Sequence, residues 1–164
     1  MTQLTPATTA DNQAIHNIAQ RVWSKHYIPN IISQQQMDYM MEWMYSPESL
    51  AKQMDEGAQF FIIKSDGNTA GYISITDTNG ELFLNKFYID NEYQRLNIGS
   101  EILRLALAEF PQATIIRLQV NRKNFKAINF YFKNGFSIER AEDFDIGNGY
   151  LMEDFVMVKR LNLD

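Results

Sequence analysis

Residues 94–100 decide the fold of this chain, and they read Gln94-Arg95-Leu96-Asn97-Ile98-Gly99-Ser100. The stretch before them, Glu81 to Ile89, is rich in apolar and aromatic residues and predicts a β-strand. The stretch after them, Ile98 to Phe110, places apolar residues at helical spacing and ends before Pro111. A strand that enters a helix through such a loop gathers free backbone N–H groups at the positive end of the helix dipole. The loop is therefore a candidate site for an anion.

The residues of the loop suit an anion but also suit a plain turn. Gly99 lets the backbone approach a bulky ligand, and Asn97 adopts the left-handed conformation at a smaller penalty than most residues. Arg95 adds a planar cation that matches phosphate. Equally, the glycine and the asparagine can serve the turn alone. Two better-known phosphate loops are excluded, because the spacing does not fit G-x-G-x-x-G and no G-K-[ST] follows.

This part of the chain resembles a family motif. GCN5-related N-acetyltransferases, the GNAT family, carry [QR]-x-x-G-x-[GA] after their fourth strand, and residues 94–99 match it with Asn97 in place of the first glycine. A second match lies downstream and has the family's fifth strand, fourth helix and sixth strand in order. Its marker residues are Val120, Asn124, Ala127, Tyr131, Gly135 and Phe136. The similarity extends from about Leu82 to Ile138.

Helix starts before this region are marked by capping residues. Asp11 is expected to cap a first amphipathic helix. A second helix is predicted from about Gln35 to Trp43, with methionines on one face that we interpret as core-filling side chains. Ser46 and Pro47 form a typical start for a third helix.

The order of predicted elements agrees with the resemblance. Three consecutive strands are expected between Gln59 and Ile89, and the third of them begins a β-α-β-α unit that ends at Asn134. Two last strands are predicted at Phe136–Glu139 and Tyr150–Leu161. We therefore expect one domain over residues 1–164, of class α+β, with a GNAT-like mixed, mostly antiparallel central sheet and helices on both faces.

The resemblance implies acetyl-CoA as cosubstrate and assigns a role to each matching position. The main chain of residues 94–100 would bind the pyrophosphate, and the backbone of Phe87 and Ile89 would bind the pantetheine arm. Asn124 would contact the same cofactor, and it can cap the following helix as well. The implied cofactor-binding residues are Phe87, Ile89, Gln94, Arg95, Leu96, Asn97, Ile98, Gly99, Ser100, Asn124 and Tyr131.

Tyr131 falls on the position where the family places the acid that protonates the departing CoA thiolate. The reaction needs such a donor. The conjugate acid of the leaving thiolate has an ordinary pKa of about 8.5, and the sulfur departs more easily when it receives a proton or a hydrogen bond. Without the motif, Tyr131 would be interpreted as a half-buried aromatic residue beside Phe130 and Phe132.

The base for the attacking amine is less clear in the sequence. An alkylammonium with a pKa of about 10.4 is only about one part in a thousand free base near pH 7.4, a deficit of roughly 4 kcal/mol. Relatives often use a Glu on the fourth strand, but the equivalent position here is Asn85. Glu81, Asp90 or a water held by Asn85 and Tyr88 are the remaining candidates, although each also fits a solvated strand-end residue.

The acceptor pocket is expected near the first helix. Trp23, His26 and Tyr27 fall where the family builds one wall of that pocket. His16 is interpreted as a surface or boundary residue. Two isolated histidines without cysteines or clustered carboxylates argue against a transition-metal site, so we expect no metal.

Charge and composition narrow the class of partner. The net charge is −5, which disfavours nucleic acid and mildly favours cationic molecules. The chain has no Cys, so disulfides and thiolate chemistry are excluded. No targeting segment or membrane-length apolar run occurs, so we expect a cytoplasmic protein without a membrane partner. Ser46–Leu50, Phe60–Ile63 and Glu153–Leu161 give the chain a weaker likeness to bacterial spermidine/spermine acetyltransferases, which makes a polyamine one candidate for the small-molecule amine, and relatives imply a possible homodimer.

Two other functions stay open at this point. Asn97 at a glycine position and the missing Glu would fit a non-catalytic acyl-CoA sensor, which binds CoA without turnover. The methionine-rich second helix would fit a protein-interaction module, which would not bind CoA.

Overall fold

The computed structural model describes residues 1–26, 31–94 and 97–162, with the backbone alone at His26. Its helices are α1 (Asn12–His26), α2 (Gln34–Tyr45), α3 (Pro47–Asp55), α4 (Asn91–Gln94), α5 (Gly99–Ala108) and α6 (Phe125–Lys133). Its strands are β1 (Thr2–Pro6), β2 (Gln59–Ser65), β3 (Asn68–Thr78), β4 (Glu81–Ile89), β5 (Ile115–Asn121), β6 (Ser137–Asp145) and β7 (Leu151–Arg160). They form one sheet in the order β1-β2-β3-β4-β5-β7-β6, in which β4 and β5 pair in parallel. The predicted α+β class and mostly antiparallel sheet are confirmed.

The described chain folds into two compact units. The first unit holds residues 1–76 and 85–111, and the second holds residues 77–84 and 112–164. The strands β3 and β4 therefore contribute residues to both units. In the described ranges, no helix is long and apolar enough to cross a membrane.

Local sequence signals set the helix starts in the first unit. The Ser46 hydroxyl accepts a hydrogen bond from the Ser49 N–H at 3.2 Å, with Pro47 at the first helical position, as predicted. Asp11 does not cap α1, contrary to expectation. It lies in a short 3-10 turn, where its carboxylate accepts from the Thr8 N–H at 2.8 Å, and α1 begins one residue later. The carboxylate thus completes a capping box with Thr8.

The methionine face of α2 is part of the core. Met37, Met40 and Met41 are all buried, which confirms the interpretation of these residues as core-filling side chains. Trp43, on the other side of the helix, is 49% exposed and stacks on Tyr39 with ring centroids 6.1 Å apart.

One glycine in the first unit is required by packing. A Cβ atom at Gly71 in β3 would lie 2.0 Å from the carbonyl oxygen of Tyr88 in β4. Because real Cβ atoms do not approach backbone oxygen so closely, any side chain here must displace β4.

In the second unit, β5 and β7 form the central pair. The parallel register with β4 covers Glu81–Leu84 against Ile115–Leu118, while β7 pairs antiparallel with both β5 and β6. The edge strand β6 continues to Asp145, six residues beyond the predicted end at Glu139. The prediction fell short because residues 140–145 are mainly charged and lack an apolar alternation. Charged side chains and a register shift, here between Ile138 and Arg140, are typical of edge strands because they oppose pairing with a strand of another molecule.

Candidate active site

The loop that was predicted to hold an anion lies in the first unit, at the entrance to α5. Asn97 has a φ of 54°, so it takes the left-handed conformation that its side chain tolerates. Ile98 then occupies the N-cap position and α5 begins at Gly99. Within the described residues, no side chain caps the first turn of α5. The N–H groups of this turn are therefore left for another acceptor.

Gln94 fixes the other end of the loop. Its side-chain Nε2 donates to the carbonyl oxygen of Ile89 at 2.8 Å, which ties α4 back to the end of β4. The Asn97 N–H donates to the Gln94 carbonyl at 3.3 Å. The predicted residues Arg95 and Leu96 lie outside the described residues. Ser100 follows Gly99 in α5, and Phe87 and Ile89 lie half-buried on the predicted strand β4.

Asn85 is held by hydroxyl groups of the neighbouring strand. Its Nδ2 donates to Ser74 Oγ at 3.2 Å and to Thr76 Oγ1 at 2.8 Å. Both amide hydrogens are thereby engaged, and the carbonyl oxygen Oδ1 is the atom that can accept a proton donor. This arrangement turns the side chain of Asn85 into an oriented acceptor.

The two alternative carboxylates both meet arginines. Asp90 accepts from Arg21 at 3.0 Å in the first unit. Glu81 lies 3.8 Å from Arg117 in the second unit and is 68% exposed. Each of the two carboxylates therefore already has an arginine as its neighbour.

Trp23 belongs to an aromatic cluster in the first unit. Its ring centroid lies 5.8 Å from that of Tyr45 and 6.1 Å from that of Tyr88. The ring centroid of Tyr72 in turn lies 5.6 Å from that of Tyr88. Trp23 is only 4% exposed, so most of its surface packs against the core. The other two predicted wall residues, the side chain of His26 and all of Tyr27, lie outside the described residues. His16 Nδ1 lies 2.8 Å from the carbonyl oxygen of Tyr45, a boundary position as expected.

Sequence reasoning missed Lys86, a buried cation beside this cluster. Lys86 is 5% exposed, and its Nζ lies 4.6 Å from the Tyr45 ring centroid. Burial lowers the pKa of the ammonium to about 8. In the described ranges it has no ion-pair partner within 4 Å. The signal in the sequence is its place after Leu82 and Leu84 in the inward alternation of β4.

In the second unit, the predicted helix α6 carries two candidate residues. Asn124 is the N-cap, and its Oδ1 accepts from the Ala127 N–H at 3.2 Å. Tyr131 is 9% exposed and meets Phe130 and Phe136 edge-to-face, with ring centroids 5.3 and 5.4 Å away. Packing therefore restricts the Tyr131 ring on both sides.

Sequence reasoning also missed Asp154 on β7. Asp154 is 1% exposed, and burial raises the pKa of its carboxyl to about 6, against an opposing effect of Arg122 and with a smaller contribution from Asp143. In the described part of the chain, no group of three or more metal-ligating side chains is gathered in one place.

Comparison with known proteins adds independent findings. The family model described as acetyltransferase (GNAT) domain matches residues 28–150. The chain is similar to the spermidine N(1)-acetyltransferase of Thermoplasma acidophilum, with 25% identity over 150 residues that cover 87% of this chain and 90% of the relative. It is also 35% identical over 86 residues to the spermine/spermidine N(1)-acetyltransferase of Bacillus subtilis, covering 51% of this chain and 52% of that protein.

Solved structures agree on the fold. The crystal structure of a PaiA N-acetyltransferase from Thermoplasma acidophilum in complex with coenzyme A superposes with a TM-score of 0.81 at 24% identity, covering 98% of this chain and 99% of that one. A GCN5-related N-acetyltransferase from Rhodopseudomonas palustris gives a TM-score of 0.78 at 18% identity, covering 98% and 96%.

Proposed function

The chain belongs to the GNAT acetyltransferase family, and from this premise we propose that it transfers the acetyl group of acetyl-CoA to a primary amine, with a polyamine as the first acceptor to test. Family membership makes the chain an N-acetyltransferase. The acceptor is proposed because the similar proteins of Thermoplasma and Bacillus bear the names of spermidine and spermine acetyltransferases. The backbone at residues 97–99 carries the cofactor assignment, since it leaves the first turn of α5 without a side-chain cap.

The proposed cofactor contacts are mainly with backbone. The N–H groups of residues 94–100 would bind the pyrophosphate, favoured by the helix end. The backbone of Phe87 and Ile89 would bind the pantetheine arm. The carbonyl of Ile89 already accepts from Gln94, so its N–H is the group proposed for the ligand. Asn124 would contact the same molecule while it caps α6.

The proposed reaction is a direct transfer. Acetyl-CoA supplies an activated acyl carbon, the amine nitrogen forms a bond to that carbon, and the C–S bond breaks. Tyr131 would give its hydroxyl proton to the departing thiolate. Asn85 Oδ1 would accept a hydrogen bond from an N–H of the acceptor or from a water that carries the proton of the ammonium to solvent, so that the free amine attacks, since both Asn85 amide hydrogens are engaged. Trp23, His26 and Tyr27 are proposed to border the amine.

An assay of thiol release from acetyl-CoA against a panel of amines tests this function. The panel contains spermidine, spermine, diamines, monoamines, amino-acid amides and a peptide with a free N-terminus. We expect turnover with spermidine or spermine to exceed hydrolysis in the absence of amine by about tenfold or more. Binding of CoA in calorimetry without turnover on any amine would identify a sensor instead, and turnover confined to peptides would exclude the polyamine.

A further inference from the structure

Asp90, the residue that follows β4, is bonded to two other elements of the first unit. Its backbone N–H donates to the carbonyl oxygen of Ala70 in β3 at 2.7 Å. Its side-chain Oδ2 accepts a hydrogen bond from Nη2 of Arg21 on α1 at 3.0 Å. The side chain of Asp90 is 21% exposed and that of Arg21 is 53% exposed. The end of β4 is thus bound both to its neighbouring strand and to a helix.

The same residue sets the start of α4. The carbonyl oxygen of Asp90 accepts from the N–H of Tyr93 at 2.9 Å and from the N–H of Gln94 at 3.1 Å. A helix of four residues has too few internal hydrogen bonds to be stable by itself. The carbonyl of Gln94 in turn accepts from the N–H of Asn97 at 3.3 Å, just before α5. The path of the chain from β4 to α5 therefore depends on how Asp90 is anchored.

A second contact joins α1 to the end of β4. The ring of Trp23, two residues after Arg21, lies against that of Tyr88, two residues before Asp90, with ring centroids 6.1 Å apart. Trp23 is 4% exposed, so packing fixes this part of α1 on the core. The helix is therefore a rigid support from which Arg21 can hold Asp90.

Charge gives this ion pair a further effect. The segment from Asp90 to Glu101 contains three carboxylates, at Asp90, Glu92 and Glu101, and one cation, Arg95. An excess of negative charge opposes the binding of an anion such as a pyrophosphate. Arg21 lies outside the segment in sequence and compensates the carboxylate of Asp90.

We propose that Arg21 is a positioning residue for cofactor binding. Through its ion pair it holds Asp90 against α1, which keeps α4 and the entrance to α5 in place for the pyrophosphate of CoA and compensates a nearby negative charge. Arg21 acts through Asp90 and does not contact the phosphates. The inference rests on the proposed function, which assigns the pyrophosphate to residues 94–100, and extends it to a side chain of α1.

The test compares Arg21→Gln with Lys25→Gln. Both variants remove one positive charge from α1, but Lys25 is an exposed residue that forms no ion pair within the described ranges. Calorimetry measures the Kd for CoA, and steady-state kinetics give kcat and the KM for acetyl-CoA. We expect Arg21→Gln to raise the Kd and the KM by about threefold or more, because the ion pair is lost and the Asp90 carboxylate is left uncompensated. Because the lost interaction affects ground state and transition state alike, kcat should change by less than about twofold. Lys25→Gln should match the wild type.

An Asp90→Asn background separates action through Asp90 from direct contact with the phosphates. In this background Arg21→Gln should change the CoA Kd by less than about twofold, because the partner of the ion pair is already gone. A change of about twofold or more would show that Arg21 acts without Asp90, and the proposal would be wrong.

The remaining outcomes separate this inference from the proposed function. If the wild type binds CoA and Arg21→Gln raises the Kd by less than about threefold, only this inference falls. If kcat falls while the CoA Kd is unchanged, Arg21 has another role and the inference falls as well. If the wild type binds no CoA, the proposed function falls together with it. A urea midpoint equal to that of Lys25→Gln shows that the variant is folded, and Arg21→Met provides a second uncharged side chain if it is not.

Discussion

Tyr131 is the side chain on which the proposed thiolate protonation depends. Tyr131→Phe removes only the hydroxyl and keeps the ring between Phe130 and Phe136. We expect kcat to fall by about 10²-fold, because a positioned general acid contributes roughly this much, while CoA binding is retained. Steady-state kinetics and calorimetric CoA titration check this, with Tyr39→Phe on α2 as control. Wild-type turnover of the variant with all amines would remove Tyr131 from the mechanism.

Lys86 should make the protein less stable than it would be with a neutral residue. The drop of its pKa from 10.5 to about 8 corresponds to about 3 kcal/mol in favour of the unfolded chain below pH 8. The unfolded state binds more protons between pH 8 and 10.5, so the free energy of unfolding should rise with pH in this window. Lys86→Met should raise the free energy of unfolding at pH 7 by roughly 1–3 kcal/mol and flatten the rise, after allowance for the lost cation–π contact.

Urea denaturation at pH 7 and pH 10 measures both effects. Lys25→Met, on the exposed side of α1, removes the same charge without burial and should leave stability unchanged. A Lys86→Met variant that is less stable than the wild type at pH 7 would show that the ammonium has a counter-charge that the described residues do not provide.

At the residue scale, unusual backbone conformations and helix caps were easier to predict from the sequence than the burial of charged side chains. The left-handed conformation of Asn97 and the N-cap role of Asn124 depend only on the asparagine side chain and its neighbours in the sequence, so a sequence motif is enough to predict them. Lys86 and Asp154 were missed because burial of a charge depends on what packs above a strand. Leu84 and Lys86 occupy equivalent places in the alternation of β4, and only the aromatic residues contributed by α1 and α2 reveal where the ammonium lies.

At the element scale, the entrance to α5 is the decisive piece. Gly99→Glu would place a bulky, negatively charged side chain at the first residue of the helix. We expect it to abolish detectable CoA binding, because repulsion and bulk replace an anion site. Gly99→Ala is the matched control for added bulk without charge and should retain more affinity. Unchanged calorimetric affinity of Gly99→Glu for CoA would exclude this loop as the pyrophosphate site.

Element boundaries were predicted well where apolar periodicity is strong. The strand β4 was predicted at Glu81–Ile89 and lies there, while β6 was cut short and α4 was not recognised. The strand β6 is stabilised by its ladder with β7, so tertiary pairing overrides its polar sequence. The four-residue α4 lacks the length that a helical pattern needs to be visible.

At the scale of the whole molecule, the net charge of −5 should assist a cationic acceptor. We expect the KM for spermidine to rise several-fold between about 20 mM and 300 mM salt, because screening weakens attraction between a polycation and an acidic surface. A monoamine carries fewer charges, so its KM should change less. The salt dependence of KM and kcat/KM is measured for both amines at constant pH, once with NaCl and once with KCl. A salt dependence equal for both amines would argue that the overall field does not contribute to acceptor choice.

The close approach of β3 and β4 at Gly71 limits how this scaffold can be altered. If codon 71 were fully randomised and clones were selected for folding, we expect glycine to be recovered almost exclusively, since even alanine collides with the Tyr88 carbonyl. Engineers who wish to change acceptor preference therefore have no freedom at this position. Randomisation is better directed to β6, where most side chains extend into solvent and a library can tolerate diversity.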